Sequence, residues 1–219
     1  MPENPDQYGW EHAAEDIAAV LRHLAIQRAH VVGLSMGAYA ALQFGLRRPE
    51  MSSALVVAGV GTGSAPSARE AFLLEAPVMA RRFVERGMSE MAEEMGHSPT
   101  RIQLKRKDPR GWAEFMAHLR GRSARGMSNT MARYQALRPS LHDFHDQFSR
   151  MSAPVLLAVG DEDLPCLETN LMLKQAIPGA GLWVCPNTGH AINLEEPAAF
   201  NAEVQGFLSA VERGAWRRT

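Results

Sequence analysis

The sequence predicts an α/β fold, with a parallel sheet flanked by helices and interrupted by one long helical insertion. Three observations predict it. Four short apolar runs (residues 30–34, 53–58, 154–159 and 181–185) alternate with stretches of helical periodicity, and such alternation buries both faces of a parallel sheet. Between Gly63 and about Arg150 only helical spacing occurs. The 219 residues are enough for one sizeable core carrying such an insertion.

Each element follows in order. Residues 10–24 place Ala14, Ile17, Val20, Leu21 and Leu24 on one face, with Glu11, Glu15 and Asp16 near the start. This is an amphipathic helix with acid at its positive end. Residues 30–34 read as a buried strand, and residues 38–46 as a helix stopped by Arg48-Pro49. Between them lies Gly33-Leu34-Ser35-Met36-Gly37. A serine with glycine at both second neighbours, between a strand and a helix, is the pattern of a nucleophile elbow. Side chains at those two flanking positions are expected to collide with nearby backbone, so glycine is needed at both.

The strand 53–58 ends at Gly59, and the insertion then shows Phe72, Leu73, Val78, Met79 and Phe83, followed by Trp112, Phe115, Met116 and Leu119, at helical spacing. Strands follow at 154–159 and 181–185. A last helix over about 197–211 turns Phe200, Val204, Phe207 and Leu208 inward. The expected division is a core of residues 1–63 and 150–219, with a helical cap, 64–149, over the carboxyl ends of the strands.

Composition narrows the function. A formal net charge of −1 argues against bulk attraction to nucleic acid or to a membrane surface. Cys166 and Cys185 are too few for a disulfide framework or a zinc site, and read as buried thiols in a reducing compartment. The polar, acidic start, Pro2-Glu3-Asn4-Pro5-Asp6, is unlike a secretory signal. A cytoplasmic protein is the expectation. The basic run from Arg101 to Arg138, with Lys105, Arg106, Lys107, Arg120, Arg122 and Arg125, reads as a solvated helical face rather than an anion-attracting surface. His142-Asp143-Phe144-His145-Asp146 reads as a polar loop rather than a metal site. Gly59-Val60-Gly61-Thr62-Gly63 follows a strand, but Ser64 and Pro66 stand where a nucleotide fingerprint needs glycine and a helix start.

A serine hydroxyl is a weak nucleophile until a histidine accepts its proton, and the imidazolium so formed needs a carboxylate. Downstream of Ser35 the run 155–159 leads into Gly160-Asp161-Glu162-Asp163, and the run 182–185 leads into Pro186-Asn187-Thr188-Gly189-His190. Nucleophile, acid and base thus each stand just past the carboxyl end of a strand, in chain order Ser, Asp, His. Ligands of open parallel sheets bind at that edge.

On Gly33-Leu34-Ser35-Met36-Gly37, Gly160-Asp161-Glu162-Asp163, and Gly189-His190 with Leu194-Glu195-Glu196-Pro197, the chain resembles the α/β-hydrolase family, in particular its small cap-bearing esterase-like and lactonase-like members. The resemblance covers essentially the whole chain. It implies Ser35 as nucleophile, Asp163 as acid in preference to Asp161, His190 as base, and the Met36 N–H as an oxyanion donor, with no metal and no organic cofactor. The expected substrate is a small carboxylic ester or lactone; carbon–carbon cleavage or acyl transfer would use the same site. The family also carries four strands ahead of the helix that begins here near Trp10, and one of them leads to a second oxyanion donor. This sequence has none of the four. The resemblance therefore implies a partial α/β-hydrolase fold, incomplete at its amino end, whose elbow strand is a sheet edge. A remnant that pairs through that edge as a homodimer is the alternative.

Overall fold

In a computed structural model, residues 2–216 are described. Four parallel strands, β1 (Ala29–Leu34), β2 (Ser52–Ala58), β3 (Val155–Gly160) and β4 (Gly181–Cys185), lie side by side in chain order. The predicted strands match these to within one residue at each end. β2 and β3 are central and almost wholly buried, which is why their sequences are continuously apolar rather than alternating. β1 is an edge strand among the described residues, with Val32 50% exposed.

Two layers of helix cover the sheet. On one side α1 (Trp10–His23) packs on α2 (Met36–Arg47), which lies against β1 and β2. The stripe that α1 buries is Ala14, Ala18 and Leu21. Val20 and Leu24, expected on that face, are instead exposed. Small alanines let α1 approach α2 closely, and Val20 falls about 100° from Leu21 around the helix. The same layer continues with α7 (His145–Phe148) and α8 (Leu164–Ala176), joined in one core by Leu42, Phe44, Leu157 and Leu173. On the other face α10 (Pro197–Glu212) packs Phe207 against Val56 and Leu156, with Phe200 beside Ala158 and Ile192.

The only regular elements between β2 and β3 among the described residues are helical: α3 (Pro66–Gly96), α4 (Ile102–Lys107), α5 (Pro109–Arg120) and α6 (Ala124–Asn129), a π-helical turn over Thr130–Gln135, a 3-10 turn over Leu141–Phe144, and α7. α3 bends at Gly87, whose φ of 74° is outside the helical region. Phe83, Met88 and Met91 form a small core there, and Leu104, Trp112 and Met116 form another. Leu73 and Val78, part of the helical spacing read from the sequence, are exposed; α3 buries Ala76, Ala80 and Phe83. A short helix, α9 (Ile192–Glu195), precedes α10. No helix among the described residues is long and apolar enough to cross a membrane.

Candidate active site

The elbow forms where the glycine–serine pattern places it. Ser35 sits between β1 and α2 with φ 55° and ψ −112°, a conformation that non-glycine residues rarely hold. Its N–H donates to Ala58 O at 2.8 Å, and its carbonyl accepts from Tyr39 N at 3.0 Å. The surrounding bonds thus hold the strained residue in place. Gly33 is required: a Cβ there would strike the carbonyl of Gly37. Gly37 is not required in the same way, since a Cβ there meets nothing within 4 Å, so the expected two-sided crowding is one-sided. Met36 opens α2, where backbone N–H groups have no intrahelical acceptor and the helix dipole favours negative charge.

Asp163 and His190 come together across two loops pressed into contact. A Cβ on Gly160 would hit the carbonyls of Thr188 and Gly189, and one on Gly189 would hit Thr100 O. Glu162 N donates to Thr188 O at 2.9 Å, Asp161 N to Cys185 O at 3.0 Å, and His190 N to Thr100 O at 2.6 Å. The three carboxylates of Gly160-Asp161-Glu162-Asp163 divide cleanly. Asp161 Oδ1 accepts from Thr188 N at 3.1 Å, Glu162 accepts from Gln103 Nε2, and Asp163 Oδ2 lies 2.8 Å from His190 Nδ1. Asp163 is 1% exposed and His190 11% exposed at their side chains, so this contact is shielded from water, where an ion pair is stronger.

Ser35 and His190 line one cavity of about 150 Å³, walled also by Gly59, Thr62, Phe72 and Gln135. Among the described residues neither Ser35 Oγ nor His190 Nε2 is bonded to another protein group. Such pairs are commonly loose without substrate and tighten when it binds.

Several residues of this site stand in segments the sequence singled out, but without the roles the structure gives them. Glu195 is buried and clamps the histidine loop, accepting from Gly189 N at 2.5 Å and Ala191 N at 3.0 Å. Burial pushes its carboxyl above the ordinary value, while the two N–H donors and Lys107 pull the other way. Arg101 lines the cavity, and so does Arg138, which is 4% exposed. The solvated-face reading of the basic run fails at both of these ends, although it fits Lys105, Arg106, Arg122 and Arg125, which are exposed. Burial explains the difference, because the two arginines face the sheet edge and the others do not. The glycines that failed as a nucleotide fingerprint also have a place, Gly59 (φ 54°) and Gly61 (φ 143°) turning the chain along the cavity wall.

Asp163, Cys166 and His190 set ligand-type atoms within 4.8 Å of one another. Cys166 is fully buried beside Thr62 Oγ1 and Gly59 O, and burial drives its thiol far above the ordinary range. The 142–146 segment, expected as a polar loop, is instead helical, a 3-10 turn over Leu141–Phe144 running into α7, because Ser140 and Asp143 form a capping box in which Asp143 accepts from Ser140 N at 2.9 Å.

The sequence pattern of the Alpha/beta hydrolase family matches residues 2–203. RutD of Rhizobium rhizogenes, named as a candidate carbamate hydrolase, is 27% identical over 94% of this chain and 76% of its own. The structure is similar to MenH from S. aureus, with a TM-score of 0.84 at 16% identity over 93% of this chain and 76% of that one. It is also similar to Est816, described as an N-acyl homoserine lactone degrading enzyme, with a TM-score of 0.70 at 28% identity over 94% and 77%.

Proposed function

The chain belongs to the alpha/beta hydrolase family, and from that membership we propose a serine hydrolase that cleaves a small carboxylic ester or lactone through an acyl-enzyme at Ser35. The observation that carries the reading is the buried 2.8 Å contact between Asp163 and His190, opening onto the same cavity as a serine strained into the elbow conformation. Ser35 Oγ attacks the substrate carbonyl and gives its proton to His190 Nε2. Asp163 holds the ring through Nδ1 and stabilises the imidazolium. The oxyanion forms against the Met36 N–H at the amino end of α2, where the dipole is favourable. Collapse expels the alcohol, which leaves with the proton from His190. Water then attacks the acyl-serine and gives its proton to His190; the bond from the acyl carbon to Oγ breaks, His190 returns the proton to Ser35 Oγ, and the carboxylic acid departs.

In this reading the helical segment 64–149 is the cap, and it sets which acyl groups fit. The names of RutD and Est816 agree with attack at a carbonyl bearing nitrogen or oxygen. Two buried free thiols, Cys166 and Cys185, are consistent with a reducing cytoplasm. A fluorophosphonate probe tests the assignment. Ser35 should be labelled in the parent protein, and labelling should fall at least 10³-fold in rate in His190→Ala. A folded parent protein that takes no label would sink it. A second reading, pairing of two chains through β1, has its footing in the exposed edge at Val32. A dimer by analytical ultracentrifugation that dissociates in Val32→Lys would support it.

A further inference from the structure

Ester cleavage by Ser35, Asp163 and His190 does not by itself call for cations in the acyl cavity, yet two guanidinium groups line it. Arg138 donates from Nη2 to Thr62 O at 2.7 Å, its Nε is buried without a partner, and its guanidinium lies 5.0 Å from the Tyr39 ring centre. Arg101 donates from Nη1 to Ser98 Oγ at 3.3 Å. Neither is in an ion pair among the described residues.

Arg82, Arg86 and Arg120, by contrast, each meet a glutamate on α3. Asp163 is the leading negative influence on Arg101, but its Oδ2 is committed to His190. Burial lowers the proton affinity of both arginines, which nevertheless remain charged at any physiological pH. A buried charge without a counter-ion is costly, and a carboxylate brought by a ligand offsets that cost through paired, charge-assisted hydrogen bonds.

We propose that Arg101 and Arg138 bind a carboxylate on the substrate, so that the site prefers small anionic esters or lactones to neutral ones of equal length. The inference rests on the serine-hydrolase reading and narrows its substrate class. The cavity of about 150 Å³ is lined by both guanidinium groups together with Ser35 and His190, so one small molecule meets all four.

The test compares two chromogenic esters of equal acyl length, 4-nitrophenyl hemisuccinate and 4-nitrophenyl butyrate, on the full chain. The parent protein should show a kcat/KM at least ~10-fold higher for the hemisuccinate, and the ratio should fall towards one in Arg101→Gln and Arg138→Gln. Should either variant fail to fold, protection decides on the parent protein alone: succinate should slow fluorophosphonate labelling of Ser35 and succinamide should not. Equal rates for the two esters, or equal protection, with Ser35 still labelled, overturn the carboxylate site and leave the hydrolase standing. Absence of labelling in folded protein removes both.

Discussion

On the β3–β4 side of the cavity, the loops bearing Asp163 and His190 are tied together at nearly every residue. Asp161, Glu162, Thr188, His190 and Glu195 all spend backbone or side-chain bonds on that junction. On the β1 side, Ser35 stands on an edge strand, with Val32 50% exposed and Met36 38% exposed. Asp163 and His190, the proposed acid and base, are thus held by the fold itself, whereas Ser35, the proposed nucleophile, depends on one crowded glycine and a strained turn. Hydrogen bonding is unevenly distributed, dense at the Asp163–His190 junction and lighter around Ser35.

Substitutions can break that contrast, and the largest effect belongs to the nucleophile. Ser35→Gly should abolish ester turnover, a loss on the order of 10⁴-fold or more. It should also raise the melting temperature, because glycine relieves a positive-φ strain of about 1–3 kcal/mol. A variant that melts lower would mean that the turn is not strained. Next comes the loop junction. Gly160→Ala drives a methyl into the carbonyls of Thr188 and Gly189 and should cost about 1–3 kcal/mol by urea denaturation. Gly37→Ala, in open space, should be neutral or gain up to ~1 kcal/mol from helix propensity. Equal costs would erase the difference between the two sides.

Glu195→Ala strips the acceptors from two buried N–H groups. It should destabilise by about 2–4 kcal/mol and lower kcat more than it changes KM, since the base loses its clamp. The smallest effect concerns Tyr134, whose hydroxyl donates to Met36 O at 3.0 Å and so ties the insertion to the elbow. Burial raises its pKa from 10.0 to about 12. Its contribution is therefore complete below pH 10 and is lost as pH climbs through 12, because the unfolded chain ionises first. Tyr134→Phe should lower stability by ~1 kcal/mol at neutral pH and flatten the alkaline decline over that window. An unchanged alkaline limb would reassign the decline to other groups.

Much of this was legible along the chain. β2 and β3 were recoverable because a strand buried on both faces is apolar at nearly every position, as over 54–58 and 155–159. The pairing of Asp163 rather than Asp161 with His190 agrees with the spacing from Gly160, and the structure adds where Asp161 goes instead. Amphipathic faces were less secure. Val20, Leu73 and Val78 are apolar yet exposed, since which side of a helix is covered depends on what the fold sets against it.

Periodicity, acting through contacts only a few residues apart, determined the strands and the helices, and the Gly33–Gly37 motif determined the tight turn at Ser35. Only the tertiary structure decided that Arg101 and Arg138 leave solvent for the cavity, that Glu195 clamps the histidine loop, and that Gly37 faces open space. Burial and counter-ion supply are set by residues dozens of positions away, and a charged side chain looks the same in the sequence whether water or a substrate neutralises it.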